Sequence, residues 1–184
     1  MEKKLEYRMY GLVMYNISPI QQGIQFGHAL QEYNNDFFEG SADAKELAAF
    51  NHWRKDWKTF ILLNGGTANE RVSSEYYGSM NQHRDWLKET GVRHACFYEP
   101  DLNDALSAIV FLIDERVFNF KDYPLFKNWL ETKVSREIII DEKKRYKFSE
   151  IESIFSDEYR EWVELVGGEM NVELKHWLKQ FRLA

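Results

Sequence analysis

The chain has 184 residues, 44% of them apolar and 16% aromatic, which is ample for a buried core and too much for a disordered chain. Its 30 acidic and 24 basic residues give a net charge of −6, which excludes a protein that grips nucleic acid by bulk charge alone, though not a local basic groove. A single cysteine, Cys96, excludes an internal disulfide framework and a cysteine zinc cage, and the lack of a long apolar run or signal-type start predicts a cytoplasmic protein with no membrane partner.

Tyr10–Tyr15 is a short apolar run of the kind that forms a buried strand. Ser18 is a good N-cap, and Pro19 then takes the first helical position, so a helix is predicted over 19–34. On it Ile20, Ile24, Phe26 and Leu30 form an apolar arc centred on Gly23 and Gly27, which predicts close approach of the helix backbone to a sheet. Gln21, Gln25, His28 and Glu32 form a polar stripe on the opposite flank. A second helix is predicted over 42–56, with Leu47, Phe50, Trp53 and Trp57 as its apolar stripe. A second strand follows over 58–63, ending at Asn64-Gly65-Gly66-Thr67. Residues 68–79 read as a polar, mobile loop, 80–90 as a helix stopped by Gly91, and 95–98 and 106–113 as two further strands. This strand–helix alternation predicts a three-layer α/β/α domain over 1–113.

Residues 114–184 read differently, as a mainly helical C-terminal extension. Asp122-Tyr123-Pro124 opens a short helix to about 131, while 136–140 and 145–148 read as a β-hairpin. Ser149-Glu150-Ile151-Glu152 fits a capping box, and helices over 157–166 and 171–182 are separated by Gly167-Gly168.

The chemistry-bearing residues cluster after strands: Asn16 and Ser18 after the first, Asn64 and Thr67 after the second, Glu99 and Asp101 after the third. If those strands run parallel, these groups share one edge with the N-terminus of the first helix. Such a place suits a phosphate, a carboxylate or a developing oxyanion. Simple capping also explains Ser18-Pro19, and a plain turn also explains Gly65-Gly66. Glu99 and Asp101 flank a rigid proline and repel each other unless something offsets their charge, which marks them as candidate acid–base groups. His28 is either a helix-boundary residue or a catalytic partner. The other histidines show no metal-ligand spacing, so neither metal nor cofactor is expected.

Gln25-Phe26-Gly27-His28-Ala29, in a helix after the first strand, resembles the Gln-x-x-His-Ala helix of the type 2 peptidyl-tRNA hydrolases. Glu99-Pro100-Asp101-Leu102 and Leu106-Ser107-Ala108-Ile109 are similar to the corresponding segments of some bacterial and phage relatives. The resemblance spans about residues 9–113. It implies a four-stranded mixed sheet with helices on both faces, tRNA or a nucleotide as partner, and hydrolysis of the ester joining a peptide or amino acid to tRNA. Glu99 or Asp101 would then orient or deprotonate a water with help from His28, and Asn16, Asn64 or the helix N-terminus would stabilise the oxyanion. Ser18, Gln21, Gln25, Thr67 and Asn103 complete the expected binding residues.

The chain also departs from that family. The family's Gly-Lys falls on Ile20-Gln21, and Asn103 stands in place of its threonine, so Gln21 hydrogen-bonds where the family carries positive charge. Residues 1–113 hold 15 acidic and 11 basic residues, an unusual balance for a tRNA groove. A second expectation follows, in which the fold is kept but serves to bind a nucleotide, an RNA end or a host protein. A third makes the aromatic extension, with Trp129, Trp162 and Trp177, a homo-oligomerisation element.

Overall fold

Strand β1 (Tyr7–Met14) is buried along most of its length because it is paired on both sides, which is why its sequence is almost uninterruptedly apolar. The computed structural model describes residues 4–38, 40, 43–68, 71–72, 75–145 and 151–184. Along the chain follow α1 (Pro19–Phe38), α2 (Ala44–His52) with a π-helical turn (Trp53–Trp57), β2 (Thr59–Gly66), β3 (Arg71–Val72), β4 (Glu75–Tyr76), α3 (Ser79–Glu89), β5 (His94–Glu99) and β6 (Ala105–Asp114). The main sheet has the order β2-β1-β6-β5. β1 runs parallel to β2 and antiparallel to β6, and β5 is antiparallel to β6, so β1, β2 and β5 share one direction. The mixed four-stranded sheet is thus the expected one.

Helices pack around the sheet. Met9 and Val13 of β1, with Ala108 and Val110 of β6, join Phe26, Ala29 and Tyr33 of α1 and Phe50 and Trp53 in one core cluster. Strand alternation sends Leu12 to the other face, where an added side chain on Gly65 would meet both Leu12 and Met80 of α3. Within the stretch expected as loop, β3 and β4 pair antiparallel through Arg71–Tyr76 and Val72–Glu75.

The rotational setting of α1 corrects the sequence reading. Gly23 and Gly27 face open space, and Ile20 is 78% exposed and Ile24 51% exposed. The buried side is Gln22, Gln25, Phe26, Ala29 and Tyr33. Two glutamines go inside because each finds partners there, Gln22 through its Nε2 donating to the Met14 carbonyl at 2.9 Å. The close approach occurs on the strand instead: a side chain on Gly11 would overlap the Phe26 ring.

The chain divides into two units, Met1–Asp114 with Gln180–Ala184, and Glu115–Lys179. The last five residues therefore differ from the expected one-piece extension. Asn64 N–H donates to Arg182 O at 2.9 Å and Ala184 N–H to Leu62 O at 3.1 Å, so the C-terminus pairs with the outer edge of β2. Phe181 packs edge-on against His83 of α3, with centroids 4.8 Å apart.

The second unit contains α4 (Glu115–Phe118), α5 (Phe126–Lys133), α6 (Arg136–Arg145), α7 (Ile151–Ile154), α8 (Ser156–Val166) and α9 (Glu169–Leu178). Gly167, with φ +91°, ends α8 in the left-handed region. Residues 136–140 are the start of α6 and not a hairpin strand. The stretch has Glu137 in its first turn and Lys143, Lys144 and Arg145 in its last, matching the helix dipole, and only Ile139 of its three isoleucines is buried. Most of the expected second strand, and the expected cap at Ser149, lie outside the described residues.

Phe126, Trp129, Phe155 and Trp162 form the core of this unit, while Phe120 is exposed and Trp177 lies outside that cluster. Trp129 and Trp162 are buried with Phe126, Leu130 and Phe155, and Trp162 Nε1 donates to Pro124 O at 2.9 Å. Lys175 is fully buried and donates to the carbonyls of Arg116 (2.7 Å), Val117 (3.2 Å) and Tyr123 (2.7 Å). It ties α9 to the end of α4. No helix among the described residues is long and apolar enough to cross a membrane.

Candidate functional site

Because β1, β2 and β5 run the same way, the residues after them do gather along one edge of the sheet. They are spread across it, however. β2 and β5 are its two outer strands, three strand spacings apart, or about 14 Å. Asn64 and Thr67 therefore stand at the opposite side of the edge from Glu99 and Asp101.

The β2 end is a structural turn. Asn64 Oδ1 accepts from the Gly66 N–H at 2.9 Å, and the Thr67 N–H donates to Ser79 Oγ at 2.9 Å. Ser79 Oγ lies 3.0 Å from the Gly65 carbonyl, and the Met80 N–H donates to Thr67 O at 3.2 Å. The Gly66 N–H is thus occupied within the turn by Asn64, and the Thr67 N–H in fastening α3 to β2. Asn64 and Thr67, both expected as binding residues, serve this turn through Asn64 Oδ1 and the Thr67 backbone.

The start of α1 is likewise largely occupied. Gln21 Oε1 accepts from both the Ser18 N–H and Ser18 Oγ at 3.1 Å, and Ser18 Oγ accepts from the Gln21 N–H at 3.3 Å. This is a capping box, with Pro19 contributing no N–H at all. Ser18 is consequently a cap, and Gln21 keeps only its amide NH2 group for a ligand. Asn16 is exposed in the turn before the cap.

One pair of the expected residues meets directly. The Gln25 Nε2 donates to Glu99 Oε2, across the gap from α1 to the end of β5. Ser107 of β6, which sequence reasoning passed over as a site residue, lies behind them: its Oγ is 2.8 Å from Gln25 Oε1 and 3.1 Å from the Phe97 carbonyl. The carboxylate, which can only accept, fixes the amide with its NH2 toward Glu99 and its oxygen toward Ser107, whose single hydroxyl proton is shared between Gln25 Oε1 and the Phe97 carbonyl. The flipped amide would set oxygen against carboxylate oxygen. Gln25 and Ser107 are buried, whereas Glu99 is half-buried, so the carboxylate is oriented from within and open on its outer side. A β-bulge between Phe97 and Tyr98 admits Ser107 to this network, since it shifts the β5–β6 register there.

Asp101 does not join this pair. Glu99 Oε1 accepts from the Asp101 N–H at 3.3 Å, capping a single 3-10 turn (Pro100–Leu102), while Asp101 itself is exposed. Asn103 and Asp104, both with φ 55°, carry the chain through the left-handed region into β6, which asparagine and aspartate tolerate best after glycine. Asn103 is thus a turn residue. His28, one turn after Gln25, stacks on the Phe97 ring at 4.5 Å and makes no hydrogen bond among the described residues. Among the described residues no three His, Cys, Asp or Glu side chains group as a metal site. No protein-family model and no curated protein matches the chain.

Proposed function

We propose that the α/β unit hydrolyses an ester carried by tRNA, with Glu99 as the group that orients the attacking water and takes its proton. The Gln25–Glu99 pair carries this reading. A carboxylate at the carboxyl end of a strand, held by a buried amide that is itself backed by the Ser107 hydroxyl, is arranged as a general base. The resemblance of the Gln25–Ala29 and Glu99–Leu102 segments to the type 2 peptidyl-tRNA hydrolases supplies the substrate class. In this reaction the water oxygen attacks the ester carbonyl as its proton passes to Glu99. The carbon–oxygen bond to the ribose then breaks, and the ribose oxygen leaves with the proton that Glu99 returns. The amide NH2 of Gln21, which has no partner among the described residues, and the exposed Asn16 are the donors this reading assigns to the developing oxyanion.

The test is incubation of the full chain with labelled peptidyl-tRNA. Release of the peptide that disappears in Glu99→Gln and falls in Gln25→Leu is the expected result. Absence of release above background at high protein concentration overturns the proposal.

One observation favours a second reading, binding of RNA or a nucleotide without hydrolysis. Gln21 stands where the resembled family has its lysine, carries no charge, and uses its amide oxygen for the helix cap. Thermal stabilisation by tRNA together with failure of peptide release is the outcome this reading requires.

A further inference from the structure

Further along α1 from Gln25, the helix meets the end of α2 at a separate recess. Gln31 and Asn34 share one face of α1, and Phe50, Trp53 and Arg54 follow at i, i+3 and i+4 where α2 passes into the π-helical turn. These five residues line a cleft of about 320 Å³. That volume falls within the range of small-molecule sites, about 300–1,000 Å³.

The chemistry of the lining is uneven. Phe50 and Trp53 are buried and form an apolar wall, and Gln31 donates its Nε2 to Asn35 at 3.0 Å. Asn34 has no hydrogen-bond partner among the described residues. Arg54 has no carboxylate partner among them either; its guanidinium lies 5.8 Å from the centre of the Phe50 ring. Arg8, Arg84 and Arg93 each pair with a carboxylate, whereas Arg54, like Arg136 and Arg182, has no such pair among the described residues. The surrounding stretch is locally basic, with Lys55 and Lys58 nearby, and its one carboxylate, Asp56, is already held by Lys4 and His52. Arg54 is exposed at the rim of this part-apolar cleft, and its guanidinium offers an anion a planar fork of donors.

The backbone points the same way. Lys58 N–H donates to Trp53 O at 2.9 Å, closing the wide turn, and Lys58 leaves it with φ 53° in the left-handed region. Such turns are rare and recur at functional sites, where their strain is retained for what they position. Here the turn carries Trp53 and Arg54.

We propose that this cleft binds a small monocarboxylate with an apolar or aromatic body. The carboxylate is forked by Arg54 and hydrogen-bonded by the Asn34 amide, and the body lies against Phe50 and Trp53. One cation lines the cleft and balances one negative charge, which favours a carboxylate over a phosphate dianion. The site shares α1 with Gln25 but none of the residues of the Glu99 network.

Calorimetric titration of the full chain with benzoate, and with inorganic phosphate and benzyl alcohol as comparison probes, tests this. The expected result is saturable one-to-one benzoate binding, weakened about ten- to a hundredfold in Arg54→Ala and less in Asn34→Ala. Arg54→Lys restores it only in part, because an ammonium cannot fork a carboxylate. Absence of saturation, equal binding of benzyl alcohol, tighter binding of phosphate, or unchanged affinity in Arg54→Ala overturns the proposal. Arg54 is exposed, and far-UV circular dichroism with the further variant Arg54→Gln separates lost binding from lost fold.

Discussion

The Gln25 amide and the Glu99 carboxylate, 74 positions apart in sequence, are hydrogen-bonded across the seam between α1 and the end of β5. The bond fastens a helix to a sheet edge as well as aiming a carboxylate. Gln25→Leu should therefore lower stability by about 1–3 kcal/mol in urea denaturation, because it leaves the inner face of Glu99 without its donor. Gln25→Glu should do worse at neutral pH, by placing two carboxylates together. The sign is distinctive: like-charge repulsion raises carboxylate pKa values in the folded variant, so its lost stability returns as pH falls. A variant equally unstable at pH 5 and pH 7.5 would contradict this account.

Phe26 occupies the space above Gly11, so Gly11→Ala should destabilise the α/β unit by about 1–3 kcal/mol, with part of the loss recovered in a double variant with Phe26→Leu. Gly23→Ala and Gly27→Ala should act in the opposite direction. Both positions are helical and open, and each substitution should add about 0.5–1 kcal/mol through helix propensity. Thermal melts of the three single variants make the comparison.

Lys175 is the polar anchor of the second unit. Lys175→Met keeps the length of the side chain but leaves the carbonyls of Arg116, Val117 and Tyr123 without this donor. A loss of at least about 2 kcal/mol is expected, with hydrogen exchange accelerating first in α4 and the turn after it. Unchanged protection in residues 115–123 would show that the ammonium group contributes little.

The Cys96 thiol is pushed up to about 12 by burial. It should resist iodoacetamide at pH 8 in the folded protein and react promptly in urea, because the thiolate is the reacting form. A raised thiol pKa stabilises the fold fully below the unfolded value of 9.0, and that contribution is lost as pH rises toward the folded value. Cys96→Ala should accordingly flatten the decline in stability above pH 9, which denaturation curves at pH 8 and pH 10.5 will measure.

The four strands of the main sheet and most helix boundaries were legible because the signals for them are local, whereas the short β3–β4 pair fell in a stretch read as loop. The apolar runs of β1 and β6, the Ser18 cap and the Gly167-Gly168 break need no knowledge of neighbours. The hairpin expected at 136–148 went wrong for a related reason. Three consecutive isoleucines suggest a strand, but a strand must find a partner, and the charge order of residues 136–145 suits a helix that buries Ile139 alone. Ser107 escaped notice because its role depends on a β-bulge, which periodicity does not reveal. Glu99 and Gln25 were both singled out, yet nothing local says that one bonds the other.

Length, composition and charge excluded a disulfide scaffold and a bulk polyelectrolyte binder, and local pattern was sufficient for a strand–helix alternation followed by an aromatic, helical region. These conclusions rest on propensity, capping and hydrophobic run length, which act within a few residues. The direction of the strands, the inward face of α1 and the return of the C-terminus to β2 were decided by tertiary structure. A buried amide is tolerated only where a partner awaits it, and the partners of Gln22 and Gln25 come from other elements. The acidic balance acquires a local exception in the same way, for Asp56, the carboxylate nearest to Arg54 in sequence, pairs with Lys4 and His52.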